Sequence, residues 1–313
     1  MLLGSLTAPF AAHAQGWPAG IVKIIVPFPP GGSADIIARL AQPLLQQRLG
    51  ATVVIDNRPG AGGSIGTAAV AKSPPDGNSW VIVFDSHAIN PFVLPNLPFD
   101  TEKDLEPVQL VGTAPYVLST NPRKPFKTLA DVIAAAKAKP GTVSYATVGA
   151  GSIGHLSMEL LWKKAGVRLI HVPYRGGAPA TNDLVAGHVD LMIASTTASM
   201  PYIQAGSILA LAQTGATRTS ALAAVPTVSE SFAGFEVYAW WAIFAPAGTP
   251  KAIISKFGNE LAACLREPRV AAQLSETQQV TLALNGPEEL RKFLSEQMRI
   301  WGAVAREQNI KAE

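Results

Sequence analysis

The sequence predicts an α/β protein built as two lobes joined by a two-crossing hinge. Three observations carry that prediction. Short β-branched runs alternate with stretches of helical periodicity, the mark of parallel strands with crossover helices. A strand, Gly-rich loop, helix sequence of events occurs early in the chain and again in its middle. Two long extended segments separate the two series, so the chain crosses between them twice. A length of 313 residues fits one or two domains at the usual ~100–200 residues each.

The first series opens with a strand at 21–26 that stops at Pro27, followed by a helix from 33 to 50. Pro43 falls inside that helix and is expected to kink it or shift its boundary. A strand at 52–56, a loop at 58–63, a helix through 68–71 and a strand at 80–84 complete the series. After a loop at 91–98, extended residues at 108–111 and 116–118 lead out of the first lobe. The second series reads helix 129–139, strand 143–147, helix 155–165, strand 168–172, helix 179–186 and strand 189–194. An extended run at 237–244 brings the chain back, and helices at 251–266 and 287–308 close it. The expected division is residues 15–115 with 240–313 for the first lobe and 116–239 for the second, with ligands expected in the cleft between.

Composition narrows the function classes. Hydrophobic residues make up 48% and charged residues 15%, which is globular and slightly apolar. The net charge of +3 comes from Lys and Arg spread singly, with no basic run or aromatic-basic alternation, so no nucleic-acid partner is expected. A sequence pI near 9.0 gives a mild preference for anionic solutes. The apolar start of the chain ends in Ala12-His13-Ala14, an A-x-A site, although a basic n-region is missing. A signal peptide over 1–14, cleaved after Ala14, and export to the periplasm are therefore expected. No other window has the ~18 apolar residues of a membrane span. Cys264 is the only cysteine and sits in an apolar helical pattern, which suits core packing and forbids an intramolecular disulfide.

Three Gly-rich loops carry the chemistry: 27–35, 59–64 and 149–155, each expected to follow a strand and open a helix. A helix start leaves N–H groups without partners and bears partial positive charge, and glycines let an anion approach closely. Ser33, Ser64 and Ser152 either add a hydroxyl to such a site or cap their helices. Residues 149–154 spell G-x-G-x-x-G, but Tyr174-Arg175 stands where a dinucleotide site needs an acid, so no cofactor is expected. Residues 62–66 spell G-x-S-x-G around Ser64, yet no histidine follows His188 to serve a hydrolase elbow, and no catalytic residue is assigned. The histidines His87, His155, His171 and His188 are scattered without a ligand spacing, so no metal site is expected. Tyr174 with Arg175, and Ser195-Thr196-Thr197, end strands of the second series and offer polar groups there. Phe28 and Trp240-Trp241 suit either the core or a ligand face.

Segments 24–35, 54–63, 149–155 and 172–190 together resemble the tripartite tricarboxylate transporter solute receptors, the Bug family, in order over nearly the whole mature chain. The resemblance implies a type II periplasmic-binding-protein fold, a non-enzymatic receptor for a mono- or dicarboxylate, a tripartite tricarboxylate-type membrane permease as partner, and a monomer. It implies carboxylate contacts from Phe28, Pro30, Gly31, Gly32 and Ser33 in the first lobe and Ala150, Gly151 and Ser152 in the second. Weaker candidates for the ligand's far end are Ser86, Thr147, Tyr174, Ser195 and Thr196. The 59–64 loop is expected to shape the first lobe instead. Asp85-Ser86-His87 departs from the smaller residues common in the family: Asp85 in the cleft would oppose a second carboxylate, and His87 would favour one.

Overall fold

The structure is a computed structural model and describes residues 16–311; the expected signal peptide lies outside the described residues. In chain order the elements are β1 (Val22–Val26), α1 (Ser33–Leu49), β2 (Val53–Asn57), α2 (Ser64–Ala71), β3 (Ser79–Phe84), the short α3 (Asn90–Val93) and β4 (Leu105–Thr120). There follow α4 (Leu129–Ala138), β5 (Ser144–Thr147), α5 (Ile153–Ala165), β6 (Ile170–Pro173), α6 (Gly177–Ala186), β7 (Leu191–Ser195), α7 (Thr196–Gln204) and β8 (Leu209–Gln213). The chain ends with β9 (Tyr238–Pro246), α8 (Lys251–Arg266), α9 (Pro268–Ala272), β10 (Thr281–Asn285) and α10 (Pro287–Glu307).

The strands run β2-β1-β3-β9-β4-β7-β5-β6 in space, with β10 and β8 also on β4. Pairs β1–β2, β1–β3, β5–β6 and β5–β7 are parallel, as crossover helices require, while every pair that β4 or β9 makes is antiparallel. The two extended pieces expected at 108–111 and 116–118 are one continuous strand of 16 residues. Its partner changes within one step: Pro115 faces Tyr238 of β9, whereas Tyr116 faces Ser195 of β7. β4 is thus the strand that belongs to both lobes.

Amphipathic helices close over the sheet. In α1, Ile37, Ala38, Ala41, Leu45 and Leu49 are buried in the largest core cluster, and the helix ends on Gly50 in the left-handed region. Pro43 does not shift its boundary; the apolar stripe on both sides of the proline keeps the helix together across the lost N–H. Trp80 of β3 stacks on Phe257 of α8 with centroids 3.8 Å apart. Cys264 is buried in α8, and burial pushes its thiol up to about 11, so it packs as a small apolar side chain. Five elements escape the periodicity reading, the short α3 among them. α7 carries Pro201 and opens on threonines, α9 is five residues long, β8 is a Leu/Ala run of five, and β10 is interrupted by Leu284 at φ 51°.

Candidate functional site

Three helix N-termini converge on one small cavity. Its lining is Phe28, Gly32, Ser33 and Ala34 before and at the start of α1, Phe84 at the end of β3, Val148 after β5, Gly177 at the start of α6, and Ala194, Ser195 and Ala198 around the start of α7. α1 comes from the first lobe; α6 and α7 come from the second. With the lobes as they stand the space is small, about 20 Å³, room for a water or for one oxygen of a carboxylate. The lobes meet beside it: a Cβ built on Gly31 would lie 4.0 Å from Ala178 Cβ, and one built on Gly176 only 2.7 Å from Pro29 Cδ.

What the site offers chemically is backbone N–H. The first turns of α1, α6 and α7 leave N–H groups without intrahelical acceptors, and the three dipoles point their positive ends inward. Among the described residues lining the cavity there is no Lys, Arg or His, so any charge selection comes from these dipoles and hydroxyls. Ser33 adds one hydroxyl. Its Oγ accepts from Trp241 Nε1 at 3.1 Å, which anchors the oxygen and leaves its hydrogen free to donate. Trp241 thereby supports the site from below, while Trp240 points to the other side of the sheet against Phe293.

The first-lobe loop is held by a carboxylate of its own. Asp35 accepts from the Gly31 N–H, Arg39 Nε and Asn57 Nδ2, all at 2.9 Å. Burial works to raise its pKa, but the bonds from Arg39, Gly31 and Asn57 outweigh it and hold the carboxyl below its ordinary range. The Gly31 N–H is therefore committed, and the free donors of α1 are those of Ser33, Ala34 and Asp35.

The second-lobe loop is equally tied down. Ser152 caps α5 by accepting the His155 N–H at 3.2 Å, and the Gly151 N–H donates to His155 Nδ1 at 3.1 Å. Thr147, wholly buried, bonds Gly149 and lies 2.7 Å from His171 Nε2. The rings of His155 and His171 stack with centroids 3.7 Å apart. No sequence pattern announces this pairing, because the two histidines lie 16 positions apart on α5 and β6 and meet only in the tertiary fold.

Of the residues expected from the sequence, the cavity brings together Phe28, Gly32, Ser33 and Ser195. Pro30 and Gly31 sit exposed at its rim, while Ala150, Gly151 and Ser152 form the neighbouring loop before α5. Ser86 is buried and donates to Gly62 O at 3.0 Å; Thr196 is buried with its hydroxyl unpartnered. Tyr174 donates its hydroxyl to Asp183 on α6 at 2.6 Å, within its own lobe, and Arg175 is exposed. Ala34, Phe84, Val148, Gly177, Ala194 and Ala198 were missed. Only Gly177 carried a signal, as the second glycine before a helix start.

The acid and histidine at 85–87 are not free cleft groups. Asp85 accepts from the Tyr116 hydroxyl and is fully buried; burial raises its pKa well above the ordinary carboxyl range. His87 packs between Phe99 and Phe244, its ring nitrogens without partners and its pKa driven down by burial to about 3. An imidazole that makes no hydrogen bond cannot activate Ser64.

A family model described as "Tripartite tricarboxylate transporter family receptor" matches residues 37–310. Protein BugT of Bordetella pertussis is 37% identical over 310 residues, which covers 97% of this chain and 95% of BugT. Among solved structures, an R. palustris protein with adipate matches at a TM-score of 0.90 and 35% identity, over 94% of this chain and 99% of that one. MatC from Rhodopseudomonas palustris with bound malate matches at 0.84 and 29% identity, over 92% of this chain and 99% of MatC. With two α/β lobes, a shared long strand and helix starts from both lobes on one cavity, the chain belongs to the tripartite tricarboxylate transporter receptor family.

Proposed function

We propose that this protein is an exported, periplasmic receptor that captures a small organic carboxylate between its lobes and delivers it to a tripartite tricarboxylate-type permease. The observation that carries the reading is the convergence of α1, α6 and α7 N-termini, from opposite lobes, on one cavity. A carboxylate there accepts from the first-turn N–H groups of both lobes and from Ser33, so binding is strongest when the lobes are together. Capture and release are then a rigid-body opening about the hinge, with no bond made or broken. The division at 115/116 and 239/240 is supported by the change of partner along β4 and by the return of β9 to the first-lobe sheet. The adipate and malate in the two R. palustris structures support a carboxylate as the ligand class. The receptor acts as a monomer, each chain holding both halves of its site.

Isothermal titration of residues 15–313 against aliphatic mono- and dicarboxylates, hydroxy acids, aromatic acids and amino acids tests the reading. Saturable 1:1 binding of at least one acid is expected. Ser33→Ala should weaken it about tenfold or more, since a hydrogen bond to a charged group contributes roughly 1.5–3 kcal/mol. Heats indistinguishable from dilution across the whole panel overturn it.

A further inference from the structure

The Gly149–Ser152 loop is shaped by two histidines that no ligand-binding argument has used. Seven contacts close a ring around it. Thr147 Oγ1 holds Gly149 through its carbonyl at 3.0 Å and its N–H at 3.3 Å. The same oxygen lies 2.7 Å from His171 Nε2. His171 stacks on His155, 3.7 Å between centroids and 12° between planes. His155 Nδ1 takes the Gly151 N–H at 3.1 Å, and the His155 N–H returns to Ser152 Oγ at 3.2 Å. The Ser152 N–H closes the turn on Gly149 O at 3.2 Å.

The protonation states follow from these bonds. An Nδ1 that accepts from a backbone N–H carries no proton, so His155 is neutral with its hydrogen on Nε2, 4.0 Å from Glu159 Oε1. Thr147 donates to Gly149 O, which leaves its oxygen to accept from His171 Nε2. Burial lowers His155 to about 4; burial, with the neighbouring His155, lowers His171 to about 3. Both rings are uncharged at neutral pH, as a face-to-face stack of imidazoles requires. The other ionisable groups against the pair are Glu159 and Tyr145, whose hydroxyl is given to Glu159.

We propose that His155, steadied by His171, is a positioning residue for the ligand: it withdraws the Gly151 N–H and fixes the loop whose Val148 lines the cavity and accepts the Gly176 N–H at 3.0 Å, leaving Ala150, Ile153 and Gly154 as the loop's donors. The motif glycines then serve shape, since Gly149 and Gly151 lie at φ 159° and 72°, and only Gly151 is in the left-handed region that disfavours other residues. Without its acceptor at His155, Gly151 presents a second N–H and the loop relaxes toward several shapes, which lowers the population ready to bind.

This inference rests on the carboxylate-receptor reading, and its test separates the two. The probe is whichever panel acid the wild-type protein binds. His155→Leu keeps the bulk but no acceptor and should weaken binding about tenfold, with far-UV circular dichroism unchanged. His155→Asn places an amide oxygen near the Nδ1 position and should recover most of that loss, which a merely space-filling role for the ring does not provide. Nitrogen-15 NMR of the unliganded protein should show His155 neutral with Nδ1 unprotonated. Equal affinity of the Leu and wild-type proteins overturns the inference, as does an Nδ1-protonated His155; absence of wild-type binding to every acid overturns the receptor reading instead.

Discussion

At the scale of single residues, Asp85 holds the most consequential charge in the molecule. It is fully buried where the β3 end meets β4, with one oxygen on the Tyr116 hydroxyl and the other, Oδ1, unpartnered. Burial raises its pKa well above the ordinary 3.8. The unfolded chain therefore releases this proton first as pH rises, so Asp85 favours folding least at neutral and alkaline pH. Asp85→Asn keeps an acceptor for Tyr116 and removes the ionisation. Its stability relative to the wild type should therefore rise with pH, being most favourable at pH 7–8 and least at pH 4. Thermal denaturation of both proteins across that range checks it; a gain that grows as pH falls refutes the assignment. The sequence allowed Asp85 and His87 to stand in the cleft, because a dipeptide pattern does not say which way a 3-10 turn faces. The turn buries both, whereas Phe28, Gly32 and Ser33 are legible from the Gly-rich loop that opens α1, and Ser195 from its place at a strand end.

Between elements, what the chain spells plainly is parallel strand and crossover helix; what it hides is irregular. Strands β1, β3, β5 and β7 and helices α1, α5, α8 and α10 follow from β-branched runs and apolar stripes. α7 did not, since Pro201 and a Thr-Thr start argue against a helix, yet its N-terminus supplies a wall of the cavity. The loop before α6 is similarly decisive. Gly176 lies at φ 120°, and a Cβ there would come 2.7 Å from Pro29 Cδ across the lobe boundary. Gly166, the α5 cap at φ 65°, has nothing within 4 Å of such a Cβ. Both alanine variants carry backbone strain, about 1 kcal/mol at Gly166 and roughly 1–3 kcal/mol at Gly176, whose φ 120° and ψ 176° suit glycine alone, but only Gly176→Ala also props the lobes apart. Gly176→Ala should lose tenfold or more in carboxylate affinity, and Gly166→Ala should lose stability alone. Titration beside chemical denaturation separates the two effects, and matched affinities would sink the contact argument.

For the whole molecule, the proposed function puts the site where two lobes close, with β4 and β9, the strands that link them, as the path about which they turn. The space between the lobes is narrow, so in the proposed cycle a ligand enters and leaves when the lobes part. A Cβ on Gly31 lies 4.0 Å from Ala178 Cβ, within the 3.5–4.5 Å of a disulfide, and the only native thiol, Cys264, is buried in α8. The double variant Gly31→Cys, Ala178→Cys should therefore cross-link the lobes on oxidation. Oxidised in the presence of a bound, isotope-labelled acid, it should retain the label through gel filtration and release it when dithiothreitol is added. Oxidised alone, it should bind nothing until reduced. The reduced form serves as its own control for the strain of a side chain at φ 81°. Exchange from the cross-linked protein as fast as from the reduced one would mean that the ligand reaches its site by a route other than the cleft, and the three helix starts would then have to serve something else.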